Sequence, residues 1–234
     1  MKTLVLGSFV AAVISSFAGC TSSSGSSDAV IQANWKFTSR AGTNTGCPPN
    51  VTGIEVVAQV INQDGTVVGA PVTDIFDCGA FSGVTAPLPP DHLNVYLRAL
   101  GTGDQELYTT LSQTVDLTDV NRTLSFDFVS DGGFIVFDWN LVRAATNAPL
   151  TCAQANATEV EIIETLSGTT AALSDKFDCD VHYGVTKPLA TGQYTTSISA
   201  NSNAGALGAP VNKTVMVTAP NGITDIGSVM LPID

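Results

Sequence analysis

FDCGAFSGVTAPL at residues 76–88 and FDCDVHYGVTKPL at residues 177–189 are two versions of one segment. Phe76, Asp77 and Cys78 match Phe177, Asp178 and Cys179; Gly83, Val84 and Thr85 match Gly184, Val185 and Thr186; Pro87 and Leu88 match Pro188 and Leu189. The offset is 101 throughout, without a gap. Upstream, Trp35 answers to Trp139 at an offset of 104 and Cys47 to Cys152 at 105. A shorter connection after the second copy's EVEIIETL strand takes up the difference. Order and spacing recur over about a hundred residues, which marks a duplicated domain and not a short solenoid repeat.

Working outward from this segment, each copy reads as a series of short strands. Ala33 to Thr38 alternates, with Trp35 and Phe37 on one face. Gly53 to Ile61 follows, and Asn62-Gln63-Asp64-Gly65 is a turn signal. Val72 to Cys78, Leu93 to Ala99, Leu107 to Leu111 and Leu124 to Phe128 complete the first copy. The second repeats the plan with Phe137/Trp139/Leu141, Val160 to Leu166, Lys176 to Cys179, Tyr194 to Ala200, Thr214 to Val217 and Gly227 to Leu231. Strands of this length, broken by Gly, Pro, Asn and Asp, predict an all-β chain: two tandem antiparallel β-sandwich domains of prealbumin or Ig-like type. Their expected spans are 29–131 and 132–234. The stretch 144–157 is read as a loop because Pro149 and Cys152 interrupt it. Only Ser130-Asp131-Gly132-Gly133 separates the copies, so the two sandwiches are expected to form a stiff or hinged rod, with Gly132-Gly133 as the hinge.

Five cysteines occur, at 20, 47, 78, 152 and 179. Because both copies fold by one plan, each is expected to close its own bridge, Cys47 to Cys78 and Cys152 to Cys179, with one disulfide per domain. Neither copy has a CxxC pair or a His at ligand spacing, so a cysteine metal site is disfavoured.

The chain opens with Met1-Lys2, an apolar run too short for a confident membrane span, and Ala18-Gly19 before Cys20. SSFAG-Cys20 resembles the lipobox of bacterial lipoproteins, with Phe17 where that family usually has Leu. The resemblance implies a signal peptide at 1–19, lipid on Cys20, and a membrane partner reached through that lipid. Residues 20–28, with their Ser/Gly-rich run, read as a tether. Thr21, where lipoproteins kept in the inner membrane often carry Asp, favours the outer membrane or cell surface.

From Cys20 onward eight basic residues face twenty-one acidic ones, a formal charge of −13. Such a surface repels phosphate backbones and anionic lipid alike, so no nucleic-acid partner is expected. The phrase Lys187-Pro188-Leu189-Ala190-Thr191-Gly192-Gln193-Tyr194 and the alternating residues after it resemble the L-x-x-G-x-Y-x-V strand of carboxypeptidase-regulatory-like and transthyretin-like domains. In the first copy Asp91 and Leu93 stand in place of the Gly and Tyr. That resemblance implies display or adhesion rather than chemistry.

Candidate site residues are sparse. His92 and His182 are not equivalent in the repeat, and Asp91, beside His92, would point the other way in an extended strand. No catalytic residue and no cofactor are assigned. Trp35 and Trp139 share faces with apolar neighbours, as core residues do. Asp175, Asp178 and Asp180, with Asp74 and Asp77, are the best oxygen donors for calcium, but they lack EF-hand spacing and read as a solvated sheet edge. Phe81, Tyr96, Tyr108 and Tyr183 are the aromatic side chains expected outside the core. Together these readings predict a non-catalytic envelope lipoprotein that binds, adheres or spaces, with an envelope protein or glycan as partner. The alternatives are a carbohydrate-binding module and, behind it, an envelope enzyme.

Overall fold

The computed structural model describes residues 29–63, 65–118, 120–218 and 222–233; Cys20, the signal-like segment and the tether lie outside them. The first half contains β1 (Ile31–Thr38), β2 (Gly53–Ile61), β3 (Val67–Phe76), β4 (Ser82–Val84), β5 (His92–Leu100), β6 (Glu106–Thr109), β7 (Gln113–Asp116) and β8 (Arg122–Val129). The second contains β9 (Phe134–Arg143), β10 (Pro149–Leu150), α1 (Cys152–Ala155), β11 (Glu159–Leu166), β12 (Ala172–Asp178), β13 (Tyr183–Val185), β14 (Gly192–Ser202), β15 (Gly205–Ala206), β16 (Val211–Val217) and β17 (Ile223–Ile233).

These strands build two tandem β-sandwiches. In the first, a sheet of order β4-β1-β8 faces a sheet of order β3-β2-β5, with β6 and β7 along the outer edge of β5. In the second, β9 lies between β17 and the β10 and β13 segments, facing a sheet of order β12-β11-β14, with β15 and β16 beyond β14. Neighbours are antiparallel with one exception in each copy. The first and last strands pair in parallel, β1 with β8 and β9 with β17. A wholly antiparallel reading misses this, because a pairing between strands ninety residues apart leaves no local signal.

Two aromatic-rich cores result. Phe37 stacks on Phe128 at 4.6 Å and meets Tyr108 edge-on at 5.6 Å in the first. Trp139, Phe137 and Phe177 form the corresponding group in the second. Removing one such ring from water is worth roughly 1.5–3 kcal/mol, so these clusters carry much of each sandwich's stability. Disulfide Cys47–Cys78 ties the β1–β2 connection to the turn after β3, and Cys152–Cys179 ties α1 to the turn after β12.

Four local expectations are corrected. The strand expected from Val72 to Cys78 begins at Val67 and ends at Phe76, and that expected from Lys176 to Cys179 begins at Ala172 and ends at Asp178; each bridge cysteine opens a short 3-10 turn. Asp77 and Asp178 cap these turns, which stops the strand before the cysteine. The loop expected at 144–157 contains α1, nucleated by a capping box between Thr151 and Gln154. An additional strand, β7, follows β6.

Gly132 and Gly133, at the link read as stiff or hinged, are closely packed. A Cβ on Gly132 would collide with the Leu189 carbonyl and lie 2.8 Å from the Arg40 Cγ; one on Gly133 would collide with the Gly222 carbonyl and lie 3.0 Å from Val217 Cγ1. Both glycines are buried. Their lack of a side chain lets the Leu189 and Gly222 carbonyls approach.

Candidate functional site

The repeated segment is consumed by the scaffold. The Trp35 indole N–H donates to the Cys78 carbonyl at 3.0 Å, and the Trp139 indole N–H to the Cys179 carbonyl at 3.1 Å. Thr85 Oγ1 accepts from the Ile31 amide and Thr186 Oγ1 from the Ile135 amide, each at 3.0 Å. Asp74 accepts from the Ala86 amide at 2.9 Å and Asp175 from the Lys187 amide at 2.8 Å. Gly83 lets the Phe76 ring lie 2.5 Å from where a Cβ would stand, and Gly184 does the same for Phe137 and Phe177 at 2.8 and 2.9 Å. These repeated residues thus answer to fold requirements.

The acidic candidates do not converge. Asp178 accepts from the Asp180 amide, Asp180 is exposed, and Asp175 turns inward and is only 8% exposed. The solvated-edge reading therefore fails for Asp175, because its carboxylate secures the Thr186-Lys187 turn. Among the described residues no three His, Cys, Asp or Glu side chains stand together as a metal site would require. The Asp91 carboxylate accepts from the His92 backbone amide at 2.7 Å. His182 lies against Trp139, its Nδ1 3.2 Å from the Trp139 carbonyl. Tyr108, expected outside the core, is buried within it, whereas Phe81 and Tyr183 are exposed. The β5 register explains Tyr108: it sits opposite Ala99, an inward-facing position.

A polar group that sequence reading missed lies inside the second sandwich. Register equates Ala58 with Glu164, Val95 with Thr196, and Leu93 with Tyr194. Asp74 corresponds to Asp175 and Ala86 to Lys187. Four apolar positions of the first copy have thus become polar around an aspartate that both copies share. Glu164 and Thr196 are fully buried, and neither Glu164 carboxylate oxygen has a hydrogen-bond partner. Burial, reinforced by the neighbouring Asp175 charge, pushes the Glu164 carboxyl up to about 8, so it holds its proton at neutral pH. Lys187 Nζ lies 2.7 Å from Asp175 Oδ1, and that contact raises the lysine's affinity for its proton. The signal that could have found this group is Glu164 itself. It falls on the inward phase of β11, in step with Val160 and Ile162.

The second candidate is the junction between the sandwiches. The Arg40 amide donates to Asp131 Oδ1 at 2.6 Å, Arg40 Nε donates to the Asp131 carbonyl at 3.0 Å, and the side chains form an ion pair at 3.6 Å. The Arg40 stem covers Gly132, and its charge reaches Tyr194 of the second sandwich. Beside this clasp opens a cleft of about 560 Å³. Val129, Phe134 and Pro188 supply apolar wall, and Ser112, Gln113 and Ser125 supply polar rim. Val129 and Phe134 are buried yet belong to neither core. They face the junction.

Among the described residues no helix is long and apolar enough to cross a membrane. No protein-family model matches the chain, and no curated protein matches it. Similar solved structures include a leucine-rich repeat protein from Bacteroides thetaiotaomicron, at 13% identity and a TM-score of 0.41, over 88% of this chain and 26% of that one. The present chain therefore spans about a quarter of that protein. The minor pilin GBS52 of Streptococcus agalactiae is similar at 10% identity and a TM-score of 0.33, over 88% of this chain and 94% of its own. The fimbrial anchor protein Mfa2 from Porphyromonas gingivalis is similar at 11% identity and a TM-score of 0.30, over 86% and 90%.

Proposed function

We propose that this chain is a non-catalytic module of the bacterial cell envelope: a lipoprotein attached through Cys20, whose two sandwiches act as a stiff unit that makes contacts or holds them at a distance. The observation that carries this reading is the junction. Arg40 and Asp131 make three contacts there, and Gly132 and Gly133 are buried where a side chain would strike the Leu189 and Gly222 carbonyls. A joint packed this way transmits position, which a spacer or presenting module requires. The acidic surface supports the same reading, since it disfavours adsorption to anionic lipid and leaves attachment to acyl chains.

The test has two arms. Wild type and Cys20→Ser are fractionated from a bacterial host. Attachment through Cys20 predicts that only the wild type stays with membranes; identical partition of the two refutes it. Spin labels on the two sandwiches then report the joint. A narrow distance distribution that broadens in the doubly substituted Arg40→Ala/Asp131→Ala protein supports the stiff unit, and a broad distribution in the wild type refutes it. Residues 29–131 and 132–234 are proposed as separate folding units, so residues 132–234 alone should unfold in one cooperative transition.

A further inference from the structure

We infer that the junction cleft is a binding site for a neutral saccharide. It deepens the surface-contact reading above and rests on it for the source of the ligand. Three features of the cleft select that chemistry. Its size, about 560 Å³, lies in the range of small-ligand sites, and such sites favour domain junctions. Its apolar lining, Val129, Phe134 and Pro188, comes from both sandwiches, and the partly exposed Pro188 ring offers a face to the C–H side of a sugar ring while Val129 and Phe134 stay buried. Its rim is hydroxyl and amide: Ser112, Gln113 and Ser125 offer both donors and acceptors, as vicinal sugar hydroxyls require.

Charge then decides between neutral and acidic sugars. The cleft holds two charged side chains, each already paired within the fold: Arg40 with Asp131, and Asp127 with Lys36 at 3.4 Å. Each is balanced before any ligand arrives. A uronic acid would have to displace Asp131 from Arg40 and would enter against a chain of formal charge −12. A neutral saccharide keeps both pairs and needs only the rim. Gln113 is held in place, its side-chain amide donating to the Ser125 carbonyl at 2.7 Å.

The experiment titrates the whole secreted chain with maltotriose, cellotriose, mannotriose and tri-N-acetylchitotriose, and with trigalacturonate as the acidic counterpart. Calorimetry gives affinity, and amide chemical shifts give location. Saturable binding of at least one neutral trisaccharide is expected, with shifts at Arg40, Gln113, Ser125 and Phe134. Ser112→Trp and Ser125→Trp, both at exposed positions, fill the cleft from its rim and should weaken binding at least about tenfold. Their thermal transitions report whether the fold survives, and the spin-label distances report whether the junction does. No saturable neutral binding at millimolar concentration overturns the inference, as does tighter binding of trigalacturonate or retention of affinity in both folded tryptophan variants. Failure here with Cys20-dependent attachment and a narrow joint intact overturns the cleft and leaves the surface module standing.

Discussion

Glu164→Gln tests the buried polar group most directly. The Glu164 carboxyl sits at about 8 in the folded chain against an ordinary value of 4.5. Between those values the native state keeps a proton that the unfolded state has released. The unfolded state then binds fewer protons, so stability falls as pH rises through this window and levels off above it. One proton corresponds to a slope of at most about 1.4 kcal/mol per pH unit. By pH 7 the accumulated loss is about 3 kcal/mol, a large share of a small domain's stability. Glutamine has nearly the same shape and no charge at any pH, so it removes the slope. The variant should match wild type near pH 4.5, exceed it by about 2–3 kcal/mol at pH 7, and stay above it at pH 9. Urea unfolding of both proteins at half-unit pH steps measures this, with disulfides intact. Every other ionisable side chain is common to both proteins and cancels in the difference. Parallel pH profiles for the two proteins would refute the protonated, unpartnered Glu164.

Gly132→Ala places a methyl group against the Leu189 carbonyl and the Arg40 side chain and should destabilise by about 1–3 kcal/mol, read from a lowered melting temperature and a broadened spin-label distance. Replacing Cys152 and Cys179 by serine opens a loop of sequence separation 27 and should cost about 3–4 kcal/mol in urea unfolding, with the first sandwich unaffected. Trp139→Phe removes the indole donor from the Cys179 carbonyl and should cost about 1–3 kcal/mol, and Trp35→Phe should do the same in the first sandwich through Cys78. A neutral effect at both tryptophans would mean that those carbonyls find other partners.

The residues that declare the architecture are those that recur. Trp35 and Trp139, the two Phe-Asp-Cys turns and the Gly-Val-Thr segments are legible in sequence because duplication printed them twice, and period-two alternation reveals the strands between them. Local chemistry of this kind survives without coordinates, since a side chain's phase along a strand depends only on its neighbours. The parallel pairing of β1 with β8 and of β9 with β17 does not, because it joins segments far apart in the chain. The same holds for Gly132 and Gly133. A glycine pair reads identically whether it frees a backbone or admits a close contact, and only the Leu189 and Gly222 carbonyls lying against them decide the matter. Asp175 looked like one of a row of edge carboxylates until the fold turned it inward beside Lys187, close enough for its charge to act on Glu164. The cleft depends on residues from both sandwiches, Ser125 and Gln113 on one side and Phe134 and Pro188 on the other. Its existence follows from how two domains meet, a property that no stretch of sequence carries by itself.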